Sequence, residues 1–319
     1  MNTRIEPPNP RVTIARRDVR GAPALGKTPT AQLPGHLPKI TKLDVELLGK
    51  KGERIAGVKG ASLVAEVPMG LPTSGLIHLS TGETLVVRDD KGVFEVRPGE
   101  EPRRLFKMKD LEGITVDDKE KYVYVVEENA RTVHKLEIRR DDHGGVELHD
   151  TGDSRKLPKF KGGVENKGWE GIAFLSKDIA GGKHDCLVCV HEGSPRRIGI
   201  YELPDLDTGV TLKLPKEAKK LLPDLADAAI DPKTGHIFVV SDQGRTIVEL
   251  AITRQTRAAH QGLLDSVELT VVSSIDLPIS GNKKPEGLRF DSRGRLWVGL
   301  DYEDDHRNSG RALVIELTR

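Results

Sequence analysis

The sequence repeats one pattern five times, and this repetition limits the possible folds more than any other feature of the chain. Each copy opens with a short run of mostly apolar residues, which in three copies surrounds a Glu-Gly pair. The openings are Thr73-Ser74-Gly75-Leu76-Ile77, Leu111-Glu112-Gly113-Ile114-Thr115, Trp169-Glu170-Gly171-Ile172-Ala173, Leu225-Ala226-Asp227-Ala228-Ala229 and Pro285-Glu286-Gly287-Leu288-Arg289. Two further runs rich in β-branched residues follow each opening and are separated by polar turns. Each copy therefore predicts a three-stranded antiparallel meander.

A fourth, outer strand is predicted after four of the copies, at residues 103–107, 146–150, 211–214 and 266–276. The fifth copy ends with the chain, and residues 62–67 fit as its fourth strand. Sheets arranged radially bury both faces and expose only short edges. We therefore predict an all-β, five-bladed β-propeller as a single domain over residues 39–319, closed by pairing of the two chain ends. The alternative is a six-bladed ring in which residues 40–67 form a degenerate blade.

Residues 1–38 differ from the rest of the chain. They hold seven of the 19 prolines and carry six basic against two acidic residues, with almost no periodic apolar pattern. Such a segment buries too little surface to order itself, so a disordered or draped basic arm is expected. Arg16-Arg17 resembles the start of a twin-arginine export signal, but no apolar core follows it.

Composition excludes several classes of protein. Lys and Arg total 50 against 49 Asp and Glu, so no overall positive field favours a nucleic-acid partner. No run approaches the roughly 20 apolar residues of a membrane span. The two cysteines, Cys186 and Cys189, are too few for a secreted disulfide framework, which favours a reducing, cytoplasmic location. Residues three apart on a strand face opposite sides, so these two thiols are expected to pack separately.

Aligning the copies reveals two acidic columns. The residues that end the second strands are all acidic, namely Asp89, Glu128, Glu192, Asp242 and Asp301. The first strands begin with Ser74, Glu112, Glu170, Ala226 and Glu286, and Asp227 stands one position later in the fourth copy. Because the first two strands of a blade are antiparallel, both columns are expected at the same mouth of the central channel. The preference of Asp for strand-ending turns is the simpler explanation of the first column, although it accounts less well for two glutamates.

Crowded carboxylates raise one another's pKa or recruit a cation. Ca²⁺ takes about six to eight oxygen ligands in flexible geometry, and Mg²⁺ or Mn²⁺ are alternatives. The predicted metal ligands are Glu112, Glu128, Glu170, Glu192, Glu286 and Asp242. The competing interpretation is an ion-pair network with the nearby bases Arg88, Lys167, Arg196, Arg197, Arg245, Lys283 and Lys284.

Candidates for ligand binding and catalysis lie beside the acidic columns. Lys167, Arg196, Arg197 and Lys284 are predicted to bind a small polar or anionic ligand. His191 and Glu192 are the candidate proton-transfer residues, because the unperturbed pKa of histidine is about 6.5. A structural role for His191 is the alternative. The glycines that follow the acidic residues indicate either the close approach of a ligand or tight packing near the channel axis.

These residues resemble the SdiA-regulated family of bacterial β-propellers over about residues 70–319. The matching stretches are Asp110-Leu111-Glu112-Gly113-Ile114, Asn166-Lys167-Gly168-Trp169-Glu170-Gly171-Ile172-Ala173-Phe174, His191-Glu192 with Ser194-Pro195-Arg196-Arg197, Asp231-Pro232, Gly235-His236, Ser241-Asp242 and Lys284-Pro285-Glu286-Gly287. The resemblance implies the propeller fold and a glutamate-lined channel. Many members carry an N-terminal signal or membrane anchor, which implies an envelope location as the alternative. A looser similarity to phytase-like propellers implies Ca²⁺-dependent hydrolysis.

Together these observations predict a divalent-cation-binding propeller that holds a small polar or anionic ligand at one channel mouth and acts as a metal-dependent hydrolase. The alternative is a non-catalytic scaffold that binds a peptide or protein on the same face.

Overall fold

The computed structural model describes residues 41–43, 45–47, 57–160, 168–254, 267–302 and 310–319. The arm expected at residues 1–38 lies outside these ranges. The described residues form 22 β-strands and two short helices, arranged in five sheets. The propeller lies within the unit His36–Arg319.

Each sheet is one blade, and its strands are given from the channel outward. Blade 1 contains β4 (Gly75–His78), β5 (Thr84–Arg88), β6 (Gly92–Val96) and β7 (Arg103–Phe106). Blade 2 contains β8 (Leu111–Val116), β9 (Tyr122–Glu127), β10 (Thr132–Arg140) and β11 (Val146–Lys156). Blade 3 contains β12 (Trp169–Leu175), β13 (Cys186–His191), β14 (Arg197–Glu202) and β15 (Gly209–Lys213).

The last two blades each have five strands. Blade 4 contains β16 (Asp227–Ile230), β17 (Ile237–Ser241), β18 (Thr246–Arg254), β19 (Val267–Asp276) and β2 (Val45–Leu47). Blade 5 contains β20 (Lys283–Phe290), β21 (Leu296–Tyr302), β22 (Arg311–Thr318), β3 (Gly60–Pro68) and β1 (Thr41–Leu43). The five-bladed prediction is confirmed. The six-bladed alternative is excluded, because β1, β2 and β3 join blades 4 and 5 and do not form a blade of their own.

The ring closes where the two ends of the propeller pair. β3 is antiparallel to β22, with Glu66 opposite Leu313 and Ser62 opposite Glu316, as the sequence predicted. β1 then pairs with β3, whereas β2 pairs with β19 of blade 4. The segment 41–47 therefore adds an outermost strand to two neighbouring blades.

The hydrophobic core is divided among the interfaces between blades. β13 shows the principle, because Cys186, Val188 and Val190 pack towards blade 4 while Leu187 and Cys189 pack towards blade 2. Both faces of such a strand are buried, and this explains its unbroken apolar run. Five clusters of this kind fill the five interfaces. The two thiols are free and face opposite sides, as expected.

Glycines bring the innermost strands together around the axis. A Cβ on Gly113 would lie 2.7 Å from the carbonyl oxygen of Glu170, and one on Gly75 would lie 3.0 Å from that of Glu112. A Cβ on Gly171 would lie 2.4 Å from the Cα of Asp227. Tight packing between blades, and not the approach of a ligand, therefore explains these glycines.

The two helices lie in connections between strands. α1 (Lys177–Ala180) begins after Ser176, whose hydroxyl accepts a hydrogen bond from the N–H of Asp178, and ends at Gly181 in the left-handed conformation. α2 (Lys216–Leu221) follows Pro215. In the part of the chain that the structure describes, neither helix is long and apolar enough to cross a membrane.

Candidate functional site

The two acidic columns converge on one cavity of about 300 Å³ at a mouth of the central channel. Among the residues that the structure describes, nine acidic side chains, one lysine, Ser74 and Ala226 line it. The acidic residues are Asp89, Glu112, Glu128, Glu170, Glu192, Asp224, Asp242, Glu286 and Asp301. All six predicted metal ligands are among them.

Three β-bulges place the glutamates of the first column in this cavity. The register of β8 against β9 shifts between Leu111 and Gly113, so that Glu112 is the extra, unpaired residue. The same shift in register makes Glu170 the unpaired residue of β12 and Glu286 the unpaired residue of β20. A bulge changes the direction in which a side chain projects. It therefore frees these three glutamates from the alternation that packs their neighbours against the adjacent blades.

Four residues of the second column directly follow the second strands of their blades, whereas Asp301 lies within β21. The N–H of Glu128 donates to the carbonyl of Asp110 at 2.9 Å, and the N–H of Glu192 donates to that of Gly168 at 3.0 Å. Glu128 also accepts a hydrogen bond from the N–H of Gly168 at 2.8 Å through its Oε1. Hydrogen bonds to the residues just before β8 and β12 thus fix the positions of these carboxylates.

Blade 4 interrupts the first column. Ala226 takes the place of a glutamate, and Asp227, expected near the mouth, is instead buried and absent from the cavity lining. Its carboxylate accepts hydrogen bonds from the N–H groups of Ile172, Ala228 and Leu288, which belong to three consecutive blades. The expectation for Asp227 is therefore wrong, because it occupies the position that glycine holds in the other blades.

Asp224 lines the cavity although the sequence did not single it out. It is 3% exposed and accepts hydrogen bonds from the Ser241 hydroxyl and, at 3.1 Å, from the N–H of Gln243. The only sequence signal was an aspartate two positions before the column residue of the fourth copy. Asp224 thus partly restores the acidity that Ala226 removes from blade 4.

The carboxylates of the cavity oppose one another's ionisation. Burial raises the pKa of Glu112 to about 9, and the negative charges of Asp89 and Glu286 add to this effect. Burial also raises the pKa of Glu286 to about 8, with Asp301 adding and Lys284 opposing.

Burial and neighbouring charges act on the carboxyl of Glu170 in the same way. Burial raises its pKa well above the ordinary value, and the charges of Glu112 and Glu128 contribute further. A hydrogen bond joins the Glu170 and Glu128 side chains. Without a bound cation, the cavity therefore retains protons on part of its glutamates near neutral pH.

Most of the bases considered as partners for the acidic columns are engaged elsewhere. The Arg196 guanidinium donates to the carbonyls of Lys219 and Leu222, and that of Arg197 donates to the carbonyl of Arg196. The Arg245 guanidinium donates to the carbonyls of Ile279 and Gly281. Arg88 pairs with Asp90, and Lys283 pairs with Glu66.

Within the described ranges, Lys284 is the base that lines the cavity. Of the four predicted ligand-binding residues, the structure therefore brings Lys284 to the site and does not bring Arg196 or Arg197. Both arginines stabilise backbone turns instead. Lys167 lies outside the described residues.

His191 does not line the cavity, although its neighbour Glu192 does. Its ring is 5% exposed and packs edge-on against Trp169 at 5.3 Å and Phe160 at 4.9 Å between ring centroids. Burial lowers the pKa of His191 below its ordinary value. This arrangement matches the structural alternative more closely than a proton-transfer role.

Among the described residues, no three His, Cys, Asp or Glu side chains already stand as a group that could hold a metal ion. The carboxylates surround the cavity and are not gathered at one point. Binding of a cation therefore requires some of the glutamates to turn inward or water to complete the coordination.

The fold and site define a class of protein, a five-bladed β-propeller whose channel opens into a carboxylate-lined cavity. A family model described as SdiA-regulated matches residues 101–300, and the chain belongs to the SdiA-regulated family. A search of curated proteins gives no significant match.

A comparison with solved structures finds matches that cover most of the chain at low identity. Glutaminyl cyclase of Myxococcus xanthus has 12% identity and a TM-score of 0.49, covering 81% of this chain and 96% of that one. A gluconolactonase of Xanthomonas campestris has 11% identity and a TM-score of 0.42, covering 89% and 98%. A putative glucose dehydrogenase of Thermus thermophilus has 16% identity and a TM-score of 0.41, covering 86% and 100%. These identities are too low to transfer an activity.

Proposed function

We propose that the acidic cavity binds a divalent metal cation, for which Ca²⁺ is the best match, together with a small polar or anionic ligand drawn to that cation. One observation carries this proposal: among the described residues, nine acidic side chains and one lysine line a cavity of about 300 Å³. Three arginines of the competing ion-pair network, Arg196, Arg197 and Arg245, donate to backbone carbonyls instead.

The donor set fits a hard cation. All the charged donors are carboxylate oxygens, and the side chains of Glu112, Glu170 and Glu286 project from bulges on three different blades. Ca²⁺ accepts about six to eight oxygens, including water, at distances of roughly 2.3–2.6 Å, so it tolerates widely spaced ligands better than Mg²⁺ does. Glu128, Glu192 and Asp242 supply further oxygens from the second column.

A cation bound here supplies Lewis acidity, which polarises an ester or phosphoryl oxygen and lowers the pKa of bound water. The residues of the chain have separate tasks in that case. Lys284 is proposed to attract an anionic ligand, and Glu192 is proposed to accept a proton when it does not bind the cation. A metal-dependent hydrolase is thus the enzymatic form of the proposal.

Thermal unfolding with Ca²⁺, Mg²⁺, Mn²⁺ or EDTA tests cation binding. A cation present at 100 times its Kd adds about 2.7 kcal/mol to the free energy of unfolding. We expect this gain with Ca²⁺ and its loss in the Glu170→Gln and Glu112→Gln variants. Glu147→Gln is the matched control, because Glu147 lies on the exposed outer strand of blade 2.

Two results would overturn the proposal. One is an unchanged melting temperature with all three cations, and the other is a Ca²⁺ response that survives in both cavity variants. Either would leave the non-catalytic scaffold as the interpretation of this face. A screen of ester and phosphoester hydrolysis with and without Ca²⁺ then separates an enzyme from a binding protein.

A further inference from the structure

The glycines of the innermost strands, Gly75, Gly113, Gly171 and Gly287, form a layer around the channel axis that we call the glycine layer. On the side of this layer opposite the acidic cavity, the central channel contains an arginine. The Arg289 side chain leaves β20 of blade 5, and its Nη1 donates to the hydroxyl of Thr115 in blade 2 at 3.1 Å. Blade 1 stands between these two blades in the ring, so the side chain crosses the channel. Arg289 as a whole residue is partly exposed, and burial lowers the pKa of its guanidinium.

Where the Arg289 guanidinium meets Thr115, hydrogen-bond donors outnumber acceptors. The Thr115 hydroxyl oxygen accepts from Arg289 and, at 2.9 Å, from the N–H of Phe174. A hydroxyl has two acceptor positions and one proton to donate, and both of its acceptor positions are used here. Within the described residues, no carboxylate oxygen forms a salt bridge with Arg289, whose guanidinium carries five N–H donors.

The nearest candidates for a counter-ion are already engaged. Asp227 attracts Arg289, but its two oxygens accept the N–H groups of Ile172, Ala228 and Leu288. Glu120 also acts on Arg289, yet its carboxylate accepts hydrogen bonds from the N–H and hydroxyl of Ser80. Asp118 acts more weakly than Asp227 and is exposed on a turn. A partly desolvated guanidinium without a paired anion is costly.

His78 adds another unused donor in the same region. Its Nδ1 lies 3.0 Å from the Thr84 hydroxyl, and its buried Nε2 has no hydrogen-bond partner. The ring packs against Trp297, with 4.3 Å between centroids. Burial lowers the pKa of His78 to about 4, and the charge of Arg289 contributes to this shift. The ring is thus neutral at pH 7, and when Nδ1 accepts from Thr84, Nε2 carries the proton.

We propose that this part of the channel binds a small carboxylate anion on the guanidinium of Arg289, with the Thr115 hydroxyl donating to it and His78 Nε2 as an additional donor. A planar carboxylate matches the parallel N–H groups of a guanidinium, which favours it over a spherical ion. The site is independent of the cation site, because it lies on the other side of the glycine layer and has the opposite charge.

Acetate titration monitored through arginine side-chain Nε–Hε signals in ¹⁵N NMR tests the proposal. EDTA is present throughout, and ionic strength is held constant with sodium methanesulfonate. We expect one arginine signal to shift saturably and to be missing from the Arg289→Gln spectrum. Loss of a charge-assisted hydrogen bond weakens acetate binding by about tenfold or more. Arg293→Gln is the matched control, because Arg293 is exposed on the adjoining turn.

Thr115 provides a second test that does not depend on the folding of the arginine variant. Thr115→Ser retains the hydroxyl and is expected to preserve acetate binding, whereas Thr115→Val is expected to weaken it. The proposal is overturned if acetate shifts no arginine signal, or if the shifted signal persists in Arg289→Gln. Equal acetate affinity in the Ser and Val variants would also contradict it. In each case Arg289 would be a structural link between blades 5 and 2.

Discussion

At the scale of single residues, the main feature is that carboxylates lying close together in the channel have different environments. Asp227 is buried and bonded to three backbone N–H groups, so it is part of the scaffold. Glu112 and Glu286 face a cavity shared with other carboxylates, and burial raises the pKa of each. A carboxylate is therefore part of the scaffold in one layer of the channel and lines the acidic cavity in the next.

The raised pKa values predict how stability depends on pH. The folded state holds protons on Glu286 up to about pH 8 and on Glu112 up to about pH 9, whereas unfolded glutamates release theirs near pH 4.5. Between these limits the folded state binds more protons, so the free energy of unfolding falls as pH rises. Each group contributes a slope of up to about 1.4 kcal/mol per pH unit.

Urea unfolding in EDTA between pH 5 and 9 measures this slope. The Glu112→Gln and Glu286→Gln variants should show a shallower slope and exceed the wild type in stability at pH 9, because glutamine mimics the protonated carboxyl. Added Ca²⁺ should oppose the loss at high pH. A slope as steep in both variants as in the wild type and in Glu147→Gln would show that other groups are responsible.

At the scale of the elements, the innermost strands combine a bulge with a glycine. The bulge directs Glu112, Glu170 and Glu286 into the cavity, and the next residue must be small because another blade lies against it. The two residues of the Glu-Gly pair thus have different roles at the crowded channel axis. The glutamate lines the acidic cavity, and the glycine permits the approach of the blades.

The Gly113→Ala substitution tests this division. Its Cβ would lie 2.7 Å from the Glu170 carbonyl oxygen and 2.9 Å from the Ile172 nitrogen, and backbone atoms cannot move aside as a side chain can. We expect a loss of about 1–3 kcal/mol in the free energy of unfolding, measured in urea. Gly60→Ala is the control, since its Cβ would meet only Thr318 at 3.6 Å. An equal effect at both positions would refute the packing explanation.

At the scale of the whole molecule, the ring is closed within blade 5, and short strands from the N-terminal side cover the outer edges of blades 4 and 5. β3 completes blade 5 by pairing with β22, and the short strands β1 and β2 cover the outer edges of blades 5 and 4. Edge strands expose unpaired N–H and C=O groups, so such a cover protects them from other chains. The segment 41–47 thus links two blades through backbone hydrogen bonds.

Two N-terminal truncations measure the contribution of this segment. A chain beginning at residue 41 retains β1 and β2, and one beginning at residue 48 lacks both. We expect the shorter chain to have the lower melting temperature and faster amide exchange in β3 and β19. The difference between the two chains isolates the strands from any effect of residues 1–40. Equal melting temperatures and exchange rates would show that β1 and β2 do not stabilise the ring.

The sequence by itself determined the five blades, the strand positions, the ring closure through residues 62–67 and the convergence of both acidic columns on one mouth. These follow from local alternation and from the antiparallel direction of successive strands, which repeat with each copy. Only the tertiary structure decided that the glutamates lie on bulges, that Asp224 joins the cavity while Asp227 leaves it, and that Arg196 bonds to backbone carbonyls. It alone brought Arg289 to Thr115 across the channel. These outcomes depend on contacts between segments far apart in the chain, where packing at the axis overrides the pattern within any single repeat.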